Sequence, residues 1–219
     1  MTKKAGVPDP VLILGARTFA REVADLLSDI PTFELKGFVE NLEPERCGQL
    51  MDGLPIFWVD EIAAMSSTHW GVCALGSTHR KGFIENAASQ GLRFITLKHP
   101  SARVSSSSTA GEGSIICPGA QVASHTRIGC HVLINRGALI GHNVESGDCV
   151  TINPGANIAG FCRIGNGTFV GMGAIVIEQV VIGDGSVVAA GAVVTENVPD
   201  NVMVAGIPAR IIKHGTDGL

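Results

Sequence analysis

Every sixth residue from Val104 to Val194 falls into one register: Val104, Ala110, Ile116, Val122, Ile128, Ile134, Ile140, Ser146, Ile152, Ile158, Ile164, Val170, Val176, Ile182, Val188 and Val194. Only Ala110 and Ser146 are neither valine nor isoleucine. The residue two positions earlier is mostly small, as at Ala102, Ser108, Ala120, Ala138, Ala156, Ala174 and Ala192. Glycine often follows the register position, as at Gly129, Gly141, Gly165 and Gly183. One such hexapeptide cannot bury its own apolar side, so the period demands a stack. Each repeat supplies a short strand and a turn, and successive coils share one core. Three hexapeptides close a coil, so residues eighteen apart form a column. At the ~4.8 Å spacing of neighbouring strands, five coils rise roughly 24 Å.

The first hundred residues follow another rhythm. Pro10–Gly15 is an apolar run ending in glycine, as buried parallel strands do. Phe19–Leu27 has helical apolar spacing. Strands are expected at Leu35–Val39, Pro55–Val59, Val72–Leu75 and Leu92–Leu97, and helices at Asp60–Met65 and Arg80–Ser89. Alternating strand and helix predicts an α/β domain with a mainly parallel sheet. The expected organisation is an α/β domain over residues 1–100, a parallel β-helix over 101–198 and a tail over 199–219. His99-Pro100-Ser101-Ala102 forms the join.

Composition narrows the partners. Net charge is −4 and no basic run exceeds Lys3-Lys4, which argues against nucleic acid. The apolar runs fall far short of the ~20 residues that span a bilayer, so the apolar excess belongs to the solenoid interior. No apolar stretch of signal-peptide type is present near the N-terminus. Cys47, Cys73, Cys117, Cys130, Cys149 and Cys162 form no CxxC pair. They read as reduced apolar fillers, which suits the cytoplasm.

The α/β domain, the H-P-S-A junction, the hexapeptide helix and the closing V-A-G-I-P-A-R-I-I of Val204–Ile212 together resemble one family. It is the sugar acyltransferases of the sialic-acid O-acetyltransferase and bacillosamine N-acetyltransferase group. The resemblance covers nearly the whole chain. It implies a left-handed β-helix, a homotrimer, acetyl-CoA as donor without a metal, and a nucleotide-linked amino sugar as acceptor. A 4-amino-deoxy sugar of the GDP-perosamine kind, as used in O-antigen and lipopolysaccharide biosynthesis, is the expected acceptor, with O-acetylation of a sialic-acid-type sugar as the alternative. It further implies CoA contacts at Gly160, Ala174, Ala190, Gly206, Pro208 and Arg210.

Within Asn135–Gly160, His142 falls where the family places its general base. The column through it runs Ser106, Ser124, His142, Gly160, Glu178, Glu196, which sets Gly160 one coil away. The resemblance independently makes the Gly160 N–H an oxyanion donor. An amine attacking a thioester must shed a proton as its C–N bond forms, and imidazole, with an ordinary pKa of ~6.5, can take it at neutral pH. Where the family has an acid directly after this histidine, the chain has Asn143. Where some relatives have a second histidine, it has Thr151.

Gly15-Ala16-Arg17-Thr18 follows a strand and opens a helix, a geometry that presents N–H groups to phosphate. It is not a full G-x-G-x-x-G, so NAD is not implied. Gly15, Arg17 and Thr18 are candidate substrate contacts, with Arg17 either pairing with a diphosphate or solvated. Glu40 and Asn41 end the second strand. Ser77, Thr78 and Lys81 follow another strand end, at the carboxyl edge where open α/β sheets take ligands. His125 and His131, six apart and expected on one face, raise a zinc hydratase of the carbonic-anhydrase kind as a competing class. That chemistry needs three convergent histidines, and these two share no column with His142.

Overall fold

The computed structural model describes residues 7–219, so Lys3 and Lys4 lie outside the described residues. Two compact units emerge. One comprises the chain up to Leu75 together with Gly82–Ile95; the other comprises Gly76–Lys81 together with Thr96–Leu219. The division therefore falls before residue 100, and the short 76–81 segment belongs with the solenoid. The cause is a switch of backbone partners: the Ile95 N–H donates to Gly71 C=O, but the Leu97 N–H donates to Ser114 C=O. The strand expected over Leu92–Leu97 is accordingly two, Arg93–Phe94 and Leu97–Lys98.

The first unit contains β1 (Asp9–Leu14), α1 (Thr18–Ser28), β2 (Phe33–Glu40), β3 (Leu50–Met51), β4 (Leu54–Trp58), α2 (Ile62–Met65), β5 (Trp70–Cys73), most of α3 (Lys81–Ser89) and β6 (Arg93–Phe94). The sheet order is β3-β4-β2-β1-β5-β6. All pairs are parallel except β3 with β4. That hairpin was not expected, although Asp52-Gly53 is a turn signature: both residues take positive φ (51° and 82°), as a two-residue hairpin requires. Val11–Leu14 are wholly buried, which explains a continuous apolar run where a half-exposed strand would alternate. α1 buries Ala20, Val23, Leu26 and Leu27, one face at helical spacing.

The second unit is a left-handed β-helix of two-residue strands stacked in three parallel sheets. Partners are eighteen apart, as in Leu139↔Asn157 and Ile140↔Ile158. The register residues and Ala120, Ala138, Ala156, Ala174 and Ala192 fill the interior. Glycine after the register residue reflects lack of room: a Cβ on Gly141 would sit 2.6 Å from the Ala159 carbonyl carbon. Buried hydroxyls at the small positions are all bonded, with Ser114, Thr126, Thr168 and Ser186 donating to Gly129, Gly141, Gly183 and Pro199 carbonyls. The expected tail is more regular than a tail. Val202–Gly206 adds a strand parallel to Val187–Val188, and Ala209–His214 returns antiparallel to it. Val202 and Val204 thereby cover the end of the core. All six cysteines are free thiols.

Candidate active site

His142 stands at a corner of the β-helix, exposed, between the strands Leu139–Ile140 and Glu145–Ser146. Its ring lies over Gly160, one coil on. A Cβ built at Gly160 would meet Cε1 at 2.7 Å and Nε2 at 2.9 Å, so any side chain there would occupy the space of the imidazole. The Phe161 N–H donates to the His142 carbonyl (3.0 Å), which locks the two turns together. The Gly160 N–H, by contrast, has no acceptor among the described residues. On the other side of the ring, Nδ1 lies 3.1 Å from Asn143 Oδ1. An amide oxygen only accepts, so this bond places the hydrogen on Nδ1 and leaves the Nε2 lone pair free.

Two further residues shape this corner, and the repeat pattern did not single them out. Thr126, wholly buried, donates through Oγ1 to the Gly141 carbonyl (2.7 Å) and accepts from the Val144 N–H (3.2 Å). It therefore grips the His142–Asn143 turn from both ends. Its signal was a hydroxyl at a small interior position eighteen before Val144. Phe161 meets the imidazole edge-on, with centroids 5.0 Å apart and planes at 89°. His125, Arg127, Asn143, Glu145, Phe161 and Arg163 line a polar depression of about 370 Å³ beside the corner. Arg127 and Glu145 pair across it at 2.7 Å. Next in sequence to Phe161, Cys162 is wholly buried. Burial pushes its thiol pKa up, and Sγ donates to the Ile177 carbonyl at 3.1 Å.

Of the residues implied for CoA, Ala190, Gly206, Pro208 and Arg210 are exposed. Ala174 has its methyl wholly buried, its N–H donating to the Gly171 carbonyl and its carbonyl accepting from the Asn157 N–H. The register makes it an interior residue. Near it, Asn157, Ala159, Ile175, Val176, Ile177 and Glu178 line a mainly apolar groove of about 410 Å³. Arg210 lies 3.6 Å from Glu196.

The expected nucleotide-sugar contacts fall into two groups. In the first unit, Gly15 has φ +114°, and a Cβ there would press against Leu75 at 3.1 Å and the Ala74 carbonyl at 3.2 Å. Thr18 begins α1, and Arg17 before it is paired with Glu43 at 2.5 Å. Glu40 is buried and turned back on its own chain. It accepts from the Asn41 and Leu42 N–H groups at 2.9 and 3.0 Å and lies 3.4 Å from Arg46. Its carboxylate thus shapes the Asn41 turn, and Arg46 is a partner the sequence did not suggest. In the second unit, Ser77 caps the turn that leads to Lys81 and α3, accepting from the His79 N–H at 3.1 Å. The Ser77 hydroxyl and the Thr78 N–H both donate to the Leu219 carbonyl, at 2.7 and 2.5 Å, so the closing residues of the chain occupy these donors. Arg80, buried, secures the segment by donating to the carbonyls of Ser77, His131 and Val150 and to Thr151 Oγ1.

His125 and His131 do not share a face. They occupy successive corners of one coil, with φ +57° and +54°. Burial holds the His131 pKa below its ordinary 6.5, with Arg80 acting in the same direction and Glu112 and Asp148 against it. Among the described residues no three His, Cys, Asp or Glu side chains converge as a metal site. No described helix is long and apolar enough to cross a membrane.

Comparison with known proteins adds independent observations. Residues 161–196 match the family model of the bacterial transferase hexapeptide (six repeats). No curated protein matches the chain at a significant level. Among solved structures, the acetyltransferase domain of PglB from Neisseria gonorrhoeae, in complex with acetyl coenzyme A, is 30% identical with a TM-score of 0.87; the match covers 94% of this chain and 100% of that one. A mutant of perosamine N-acetyltransferase from Caulobacter crescentus, in complex with CoA and GDP-perosamine, is 28% identical with a TM-score of 0.87 over 93% of this chain and 97% of that one. WeeI from Acinetobacter baumannii is 27% identical with a TM-score of 0.85, covering 92% and 99%.

Proposed function

The chain belongs to the sugar acetyltransferases of the hexapeptide-repeat superfamily, and on that footing we propose that it moves an acetyl group from acetyl-CoA to the amine of a nucleotide-linked 4-amino-deoxy sugar. The GDP-perosamine bound by the Caulobacter relative makes a sugar of that kind the first acceptor to try. The observation that carries the reading is the pairing of a free Nε2 with an unclaimed Gly160 N–H across one coil.

In the proposed reaction the neutral amine attacks the thioester carbonyl. Nε2 of His142 takes the proton that the nitrogen sheds as the C–N bond forms, a role worth ~10²–10⁴-fold. The Gly160 N–H faces the carbonyl oxygen as it gains charge, and a single such donor is worth ~10²–10³-fold. Asn143 holds Nδ1–H and so keeps the tautomer in which Nε2 is the base. The CoA thiolate leaves, and no covalent enzyme intermediate is needed. The apolar groove of Ile175 and Ile177 suits the pantetheine arm, with Ala190, Gly206, Pro208 and Arg210 toward the nucleotide end. The α/β unit is the proposed holder of the nucleotide sugar, through Gly15, Arg17, Thr18 and Asn41. The exposed apolar Leu139, Ile175, Ile177 and Val181 support a homotrimer built along the β-helix flanks.

The test is release of free thiol from acetyl-CoA with a panel of GDP-, UDP- and CMP-linked amino sugars, alongside His142→Ala. Release with an amino sugar and its loss in the variant are the expected results. Release only with hydroxyl acceptors would replace N-acetylation by O-acetylation, and no release with any would overturn the reading.

A further inference from the structure

The three corner columns of the β-helix differ in one respect. One corner is glycine throughout, at Gly119, Gly137, Gly155, Gly173 and Gly191, with φ between 63° and 69°. The corner beside His142 adopts the same left-handed backbone without any glycine, at His125 (φ 57°), Asn143 (57°), Phe161 (60°) and Gln179 (66°). Glycine takes this conformation without penalty and asparagine tolerates it, whereas a bulky aromatic residue is strained there. Phe161 is also 53% exposed, so burial does not repay the strain. What its ring does touch is the imidazole of His142, edge-on at 5.0 Å. Strained positions persist where something else requires them, and they gather at functional sites.

We propose that Phe161 is a positioning residue that braces the His142 imidazole over Gly160 and thereby sets the direction of Nε2. The inference rests on the reading of His142 as the base. Three contacts then define the ring: Gly160 beneath it, Asn143 at Nδ1 and Phe161 against its side. Without the third, the ring of an exposed histidine is free to swing away from the glycine, because Asn143 restrains only one atom. The acceptor's proton would then be offered to a base that is out of line for part of the time.

Four variants test this: Phe161→Asn, Phe161→Leu, Phe161→Tyr and His142→Ala. Asparagine suits the left-handed backbone, so Phe161→Asn should melt no lower than the natural protein. Its kcat should nevertheless fall roughly tenfold, short of the ~10²-fold expected of a 1 Å misplacement. KM for both substrates should stay within about twofold, since only orientation in the transition state is lost. Phe161→Leu should fall similarly, and Phe161→Tyr, which restores an aromatic edge, should recover most of the rate. Natural kcat in Phe161→Asn with an inactive His142→Ala would overturn the proposal while leaving the general-base reading intact. Loss of melting temperature and rate together, without rescue by tyrosine, would make Phe161 a packing residue and also overturn it. Activity in His142→Ala would instead remove the reading on which it rests.

Discussion

The imidazole of His142 stands over Gly160, close enough that a single added Cβ would lie 2.7 Å from its Cε1. Gly160 does not take a positive φ, and the three atoms nearest to a Cβ there all belong to the ring. Gly160→Ala should therefore fold normally, yet lose about 10²-fold or more in kcat as base and donor are pushed apart. Steady-state kinetics beside a melting curve provide the check. Natural turnover in this variant would mean that the stacked ring is not the catalytic arrangement.

Asn143→Asp replaces a neutral acceptor at 3.1 Å from Nδ1 by a carboxylate. A carboxylate there stabilises the imidazolium that forms as the amine sheds its proton, so kcat near neutral pH should rise. Superimposable pH–rate profiles for the two proteins would show that residue 143 does not speak to the base.

Thr126→Val keeps shape and removes the hydroxyl that joins Gly141 C=O to Val144 N–H. Both backbone groups lose a buried partner, which should cost about 1–3 kcal/mol in urea unfolding. The turn they frame carries His142, so kcat should fall by more than KM rises. Thr126→Ser retains the hydroxyl and should recover the rate; failure of that rescue would assign Thr126 to packing.

Stability should decline in mildly acidic solution, and His131 should account for part of the slope. Burial keeps its folded pKa below 6.5, whereas the unfolded chain takes the proton near its ordinary value. Between those values the unfolded state binds more protons, so stability falls as pH drops below about 6.5 and the loss is complete below the folded pKa. Urea unfolding of the natural protein and of His131→Asn, which suits the φ of +54°, should differ in slope between pH 7 and the acid side of that window. Parallel curves would exclude His131 as the source.

The column of eighteens was legible because the hexapeptide register runs without insertion, so counting alone set Gly160 beside His142. The same counting did not reveal Thr126 or Phe161. Thr126 matters through a hydroxyl that bridges two backbone groups, and Phe161 through the direction of its ring. The same register that places Ala174 in its column turns its methyl inward. In the α/β unit the strand ends pointed to Glu40 and Asn41, yet only the folded turn shows the Glu40 carboxylate spent on its own backbone and Arg46. Ser77 and Thr78 likewise read as open donors until the chain's last residues are seen against them.

By itself the sequence determined the β-helix, its coil length, the outward corner that carries His142 and the glycine opposite it. These follow from periodicity, which is a local property that stacking repeats unchanged from coil to coil. Only the tertiary structure decided where the solenoid begins, how the chain after Pro199 folds into a hairpin over its end, and which side chains brace the imidazole. Those features depend on hydrogen bonds and ring contacts between residues far apart in the chain, whose partners no repeat announces.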